Sequence, residues 1–289
     1  MSQSIGTRSQ LAFLSVPAVV FTVALIAFPF AYTVWMSLHE FSFGGTPKLN
    51  YGHNYVQMVQ DAEFWNGMKI TLILYALSLA LQLVLGTYVA ILLHSSKKLS
   101  GIVRTLMISP FVLPPVVVGM MWLVVLDPSI GAANYILTSF GLPRSDWLAS
   151  PQWVIPTVAF IDTWQWTPYV ALIVLGGLQS LPPNVYEAAQ IDGASRWQTF
   201  WRITLPLLMP TIVTAAILRS VDLLRFFDII YITTQGGPGN ASNTLNIYGF
   251  RKGFEFFEIG YASALMITLS AIVLGAVVVL TQARKRVAW

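Results

Sequence analysis

The chain contains no cysteine, so disulfides, thiolate metal sites and cysteine nucleophiles are excluded. Charge is also scarce. Asp, Glu, Lys and Arg together make up 10% of the 289 residues, against about 25% in a soluble domain. Sixteen basic and twelve acidic side chains, a net charge of +4, are too few to cover a water-facing surface of this size. Mean hydropathy is +0.68. A soluble enzyme, a disordered chain and a nucleic-acid-binding module are all disfavoured on these grounds. No phosphate loop of the form G-x-x-x-x-G-K-[ST] occurs, and the glycine cluster Gly236–Gly239 has no lysine, so the chain cannot hydrolyse ATP alone. His39, His53 and His94 are dispersed, without metal-ligand spacing.

Apolar residues, at 56%, are what the chain has in abundance. A bilayer core needs roughly 20 apolar residues in helix to span it. Six runs qualify, at about 11–36, 68–93, 103–126, 153–178, 207–232 and 259–280. None alternates apolar with polar residues, as a barrel strand would. The first run outlasts a signal-peptide core and no small-residue cleavage site follows it, so it reads as a retained span. The expectation is an all-α polytopic membrane protein, one transmembrane domain over 1–289.

Basic residues set the orientation. With a cytoplasmic amino terminus, the inner side holds nine: Arg8, Lys97, Lys98, Arg104, Arg196, Arg202, Arg284, Lys285 and Arg286. The outer side holds five: Lys48, Lys69, Arg144, Arg251 and Lys252. Both termini are therefore expected in the cytoplasm. The basic excess reflects insertion and contact with anionic inner-leaflet lipid.

Two irregularities stand out inside the spans. Ser109–Pro115 has three prolines in six residues, which must interrupt a regular helix. Intramembrane charge is the other, since each such group costs at least ~2.5–3.5 kcal/mol at the bilayer centre. Asp162 stands beside Trp164 and Trp166 in the fourth run. In the fifth, Arg219, Asp222, Arg225 and Asp228 alternate in sign at a spacing of three, predicting a series of ion pairs along one helical face. Asp228 belongs either to the span or to its outer mouth. Two readings apply: the charges hold the bundle together, or they line a polar path for a solute. Indole rings beside a carboxylate suit a sugar, with the rings on its C–H face and the carboxylate on its hydroxyls. Tryptophan is equally an interface anchor.

The loop 181–206 between the fourth and fifth runs reads as a short helix, a break and a second helix. Pro182 and Pro183 suit a helix start, and Glu187 falls in the early turns. Ala188 and Ala189 leave a smooth face, Gly193 suits a left-handed helix end, and Ser195 can cap the next helix. The pattern is Glu187-Ala188-Ala189, three residues, Gly193, nine residues, then Ile203-x-Leu205-Pro206. It resembles the EAA loop of permease subunits from binding-protein-dependent ABC importers. The resemblance implies a six-helix, type I importer fold. It also implies a coupling helix that docks in a cleft of a cytoplasmic ATPase, with Glu187, Ala188, Ala189 and Gly193 as the docking core and Asp192 flanking.

The segments Phe227–Leu245, Tyr248–Phe254, Asn54-Tyr55 and Asp61–Asn66 are similar to carbohydrate-type importers. The likeness is to the first membrane subunit of maltose, trehalose or glycerol-phosphate systems. The maltose version's extra amino-terminal spans and large periplasmic domain are lacking. The resemblance implies a second homologous permease subunit, two copies of an ATPase carrying ATP and magnesium, an extracytoplasmic solute-binding protein and a sugar or sugar-derivative solute. It implies a bacterial inner membrane, no cofactor on this chain and no enzymatic activity of its own. In the outer segment 233–258, Gly236, Gly237 and Pro238 make a turn without bulky side chains. This segment either meets the docked receptor or is a re-entrant connection buried against other spans, and Phe254, Phe256 and Phe257 form an aromatic rim. The competing functions are an ion-gradient-driven transporter or channel, with the fifth-span charges as a proton relay, and an intramembrane enzyme. Neither needs an ATPase dock. The solute stays open among carbohydrate, polyol, glycosyl-glycerol and anionic sugar. Arg219 and Arg225 would suit the last unless Asp222 and Asp228 consume them.

Overall fold

The structure, a computed structural model, describes residues 4–95 and 101–287. Lys97 and Lys98, and the side chains of Arg8 and Arg104, lie outside what is described. The chain falls into two compact units. One comprises the residues up to Asp61 together with Gly249–Thr268. The other comprises Ala62–Tyr248 together with the residues from Leu269 on.

In the first unit, α1 (Ser4–Ser37) exposes apolar side chains along its length, from Val16 to Trp35. Such a surface is stable only in lipid or under a partner. β1 (His39–Glu40) and β2 (Lys48–Leu49) pair antiparallel, His39 opposite Leu49. α2 (His53–Gln60) follows. The end of α1 leaves carbonyls without helical partners, and buried Asn54 meets them. Its amide donates to the Ser37 and His39 carbonyls at 2.8 and 3.0 Å. The Tyr55 hydroxyl donates to Ser37 Oγ at 2.8 Å, and Tyr261 donates to Asp61 at 2.6 Å. The Asn54-Tyr55 and Asp61 positions noted in the sequence thus tie this unit together.

The second unit is helical. In chain order it contains α3 (Ala62–Ser95), α4 (Gly101–Val112), α5 (Pro115–Val125), α6 (Ala132–Ser139) and α7 (Val154–Gln179). There follow α8 (Pro183–Ile191), α9 (Arg196–Thr199), α10 (Leu205–Leu223) and α11 (Asp228–Thr233). α12 (Leu245–Phe250) and α13 (Ile259–Val287) complete the chain order, each shared between the two units, which divide at Tyr248 and at Thr268. Among the described residues five helices are long and apolar enough to cross a membrane, and α4 with α5 makes a sixth span if the bent pair counts as one. The break expected at the three prolines is present, and the bound of the fifth run needs correction. The third run is not one helix: at Leu113-Pro114 its two parts bend by 102°. The fifth does not run on to residue 232: α10 stops at Leu223 and α11 begins at Asp228.

Both breaks are chemically closed. Pro114 and Pro115 cannot donate, so the preceding turn loses its partner, and the Gln165 amide from α7 donates to the Leu113 carbonyl at 2.9 Å. At the second break Asn246 donates to the Arg225 carbonyl at 2.7 Å.

α3 lies along α7 in the most extensive helix contact of the unit. Two apolar clusters result. One gathers Leu74, Val118, Val158, Ile161, Ile229 and Ile247. The other gathers Ala90, Val170, Val174, Leu175, Leu208 and Ala215. Along α3, α7 and α10 alike, a polar layer falls at one end of the second cluster, at Gln82, at Asp162 and at Arg219. The close approach depends on Gly86, where a β-carbon would stand 2.6 Å from Val170 Cγ1. Gly86→Ala is therefore expected to destabilise the unit by about 1–3 kcal/mol. Denaturation of the purified protein in detergent measures this, and Val170→Ala in the same chain should restore only part of the loss, since the Cβ of residue 170 would still stand 2.8 Å from the new methyl group.

Candidate functional site

The centre of the second unit is a three-way polar contact. Arg219, buried on α10, places Nη2 3.2 and 3.3 Å from the two carboxylate oxygens of Asp162 on α7. Gln82 on α3 bridges them: its amide donates to Asp162 Oδ2 at 2.5 Å, and its carbonyl accepts from Arg219 Nε at 2.8 Å. Both roles of the amide are used, so its orientation is fixed. Asp162 and Gln82 are fully buried and Arg219 is 1% exposed. A charge pair this deep is stable only when its spare donors and acceptors are met as well, which Gln82 does. The Trp166 ring covers the guanidinium at 4.1 Å, a cation–π contact in a dry setting. A second tie joins α3 to α10. Ser220 Oγ donates to the Ala216 carbonyl, which leaves the Tyr75 hydroxyl to donate to Ser220 at 2.9 Å.

The expected ladder of ion pairs along one helix is corrected here. Arg219 pairs across helices with Asp162, and reaches Asp222 only at 3.5 Å. Asp222 is 49% exposed. Arg225 lies in the break after α10 and Asp228 opens α11, where three-residue spacing no longer puts side chains on one face. Arg225 Nε donates to the Val221 carbonyl, and neither residue makes an ion pair among the described residues. These charges still converge. A cavity of about 380 Å³ is lined by Asp162, Trp166, Arg219, Asp222, Arg225 and Asp228, together with Pro115, Phe226, Phe227, Ile229 and Asn246. The two tryptophans separate: Trp166 lines this cavity, whereas Trp164 packs edge-on to Trp122 in the apolar cluster.

Sequence reasoning missed Gln82, Phe226, Phe227 and Asn246. Gln82 had a readable signal, as a lone carboxamide in an otherwise apolar run. The other three depend on a helix break that no proline marks.

The elbow between α7 and α10 follows local rules closely. Pro182 and Pro183 open α8. Gly193, at φ 71°, ends it: its N–H donates to the Gln190 carbonyl and that of Ala194 to Ala189. Ser195 caps α9, and Gln198 reciprocates at the Ser195 N–H. A π-helical turn, Phe200–Thr204, leads into α10. The Tyr186 hydroxyl donates to Thr204 at 3.2 Å, fastening the elbow to the root of α10. Glu187, Ala188, Asp192 and Gly193 are exposed, and so is Ile191, at 86%. Ala189 faces inward and is buried, so the smooth outer face expected of both alanines belongs to Ala188 alone.

The turn Gly236–Pro238 closes on itself. Ser242 donates to the Gly237 carbonyl and contacts Thr234, and Gly236 is buried. Leu245 N–H donates to Thr71 on α3 at 2.9 Å. Ser242, Asn243, Thr244, Leu245, Ile247 and Tyr248 of this segment are buried. Gly237 and Pro238 line a second cavity of about 320 Å³ with Asp127 and Asp146. There the Ser129 hydroxyl, helped by the Ile130 and Ser129 N–H groups, holds the exposed Asp127 carboxyl below its usual range. Phe254, Phe256 and Phe257 are exposed.

Asp162→Asn removes the buried countercharge of Arg219, and is expected to cost about 3–5 kcal/mol of stability. Unfolding of the single variants and of Asp162→Leu with Arg219→Met checks this. The double variant should lose less than either single one.

The chain matches the family described as binding-protein-dependent transport system inner membrane component over residues 82–286. It is similar to the trehalose/maltose transport system permease protein MalF of Thermococcus litoralis, 34% identical over 264 residues, 91% of this chain and 89% of that protein. It is also similar to the sulfoquinovosyl glycerol transport system permease protein SmoG of Agrobacterium fabrum, 32% identical over 270 residues, 93% and 88% of the two chains. Its fold matches a chain of a bacterial alginate ABC transporter solved with a pentasaccharide-bound periplasmic protein, at TM-score 0.86 and 24% identity, over 99% of this chain and 97% of that one. The chain belongs to the binding-protein-dependent transport system inner membrane component family, the membrane-spanning permeases of ABC importers.

Proposed function

We propose that this chain forms half of the membrane path of an ATP-driven importer for a sugar or sugar derivative. The observation that carries the proposal is the elbow. It presents Glu187, Ala188, Ile191 and Asp192 outward and is fastened through Tyr186 to α10, the helix that carries Arg219 into the cavity. An exposed isoleucine beside a small residue and a carboxylate suits a protein cleft. The partners are a second permease subunit, two ATPase subunits holding ATP and magnesium, and an extracytoplasmic solute-binding protein. Both termini and the elbow lie on the cytoplasmic side, and Phe254, Phe256 and Phe257 look towards the receptor.

Closure of the ATPases on ATP pulls the elbow, and the π-helical turn carries the pull into α10. Arg219, Gln82 and Asp162 join α10 to α7 and α3, so the three helices move as one body. The cavity wall then changes the side to which it opens. Its chemistry suits a polyhydroxylated solute. Trp166, Phe226 and Phe227 offer apolar faces, and Asp222 and Asp228 accept from hydroxyls. A proton relay is less well served, because Asp162 and Arg219 are committed to each other and to Gln82.

Glu187→Arg and Ile191→Asp should each weaken retention of the co-purifying ATPase by roughly tenfold or more while the chain stays inserted. Pull-down from solubilised membranes reads this, and ATP-dependent uptake into vesicles should fall with it. Uptake that persists without nucleotide and follows an ion gradient would establish the secondary-transport reading instead. Trp166→Ala should lower sugar uptake several-fold at unchanged ATPase retention, whereas Trp164→Phe should not.

A further inference from the structure

A third cavity lies behind the elbow. The inner ends of α3 and α7 and the stretch from Tyr186 to Thr204 frame a space of about 330 Å³. Its lining divides by chemistry. Ile91, Leu178 and Phe200 make one side apolar. Arg196 and His94, from different elements, also line the space, and among the described residues no carboxylate does. Among the described residues the Arg196 guanidinium has neither an ion pair nor a hydrogen-bond partner. Arg196 and His94 are both exposed, at the open side of the cavity, where an anion can reach them. The apolar wall beside them calls for an anion that carries hydrocarbon.

A second observation locates the cavity in the membrane. Trp197 and Trp201 stand outward beside it, 70% and 49% exposed, edge-on to each other at 5.5 Å and flanked by Arg196 and Arg202. Exposed indoles interleaved with arginine mark the headgroup level of a bilayer. Basic pockets between spans at the cytoplasmic side suit anionic headgroups.

We propose that this cavity holds the phosphodiester of an anionic inner-leaflet phospholipid. Arg196 and the His94 imidazole donate to it, and its acyl chain runs along Ile91 and Leu178. The proposal rests on the cytoplasmic placement of the elbow given above. It makes the elbow sensitive to lipid composition, because the headgroup lies directly behind α8, on the side away from the exposed Glu187 and Ala188.

The full chain, purified with its co-purifying subunits, is delipidated and equilibrated with an equimolar mixture of phosphatidylglycerol and phosphatidylcholine. Bound lipid is then counted by native mass spectrometry. The wild type should retain phosphatidylglycerol preferentially. Arg196→Gln should lower the preference by about fivefold, the effect expected of one basic group near a membrane surface. Adding His94→Gln should remove the remainder, and Arg196→Lys should keep most of it. Arg202→Gln, at the headgroup level but outside the cavity, should lower the preference clearly less than Arg196→Gln does. No preference in the wild type, or an equal loss in Arg202→Gln, would overturn the proposal. A parallel arm adds inorganic phosphate: displacement of the lipid at millimolar phosphate would mean that the site takes free phosphate and would overturn the lipid assignment. Lipid retention is read without transport or nucleotide, so a failure here leaves the ATPase-docking result standing, and the reverse holds too.

Discussion

The interaction on which the rest depends is the buried contact of Asp162, Gln82 and Arg219. Membrane helices have little hydrophobic drive to associate, since lipid is as apolar as their side chains. Close packing at Gly86 and a polar layer sealed from water replace that drive. An isolated arginine at this depth would be prohibitive. Met on every side by carboxylate, amide and indole, it becomes a specific junction of three helices. The same junction forms part of the cavity wall, so the element that holds the bundle together also shapes the space beside it.

This double role settles how the intramembrane charges divide. Asp162 and Arg219 are structural first and reach the cavity only as lining. Arg225 and Asp228 are released from pairing by the end of α10, and the half-exposed Asp222, only 3.5 Å from Arg219, keeps spare acceptors. Helix breaks thus do chemical as well as geometric work. Each break frees a carbonyl, and a carboxamide from another helix meets it: Gln165 at Leu113 and Asn246 at Arg225. A bundle whose bends are closed by single side chains can change shape without exposing bare backbone to lipid.

Much of this was legible in the sequence wherever the physics is local. The elbow is the clearest case. Pro183 starting α8, Gly193 in the left-handed region and Ser195 capping α9 are each fixed by a few neighbouring residues. The apolar runs located the spans, because bilayer thickness sets their length. The charges were legible as unusual, but their partners were not. Arg219 had an acid three residues away and chose one 57 residues earlier, since only the packing of α7 against α10 decides which carboxylate is buried with it. Gln82 was overlooked for the same reason, its role existing only once three helices meet. Ala189 shows the limit on the elbow itself, because which residue of a short helix is turned inward depends on what it packs against and not on its neighbours in sequence.

The absence of cysteine makes the central claim directly measurable. Pairs of cysteines at the exposed positions Leu72, Leu172 and Leu218, one each on α3, α7 and α10, can carry spin labels for pulsed distance measurements in the assembled transporter. If the Asp162–Gln82–Arg219 junction binds these helices into one body, all three label separations stay fixed when nucleotide is added, while uptake proceeds. Separations that shift with nucleotide would show the three helices moving apart during transport and would contradict the account.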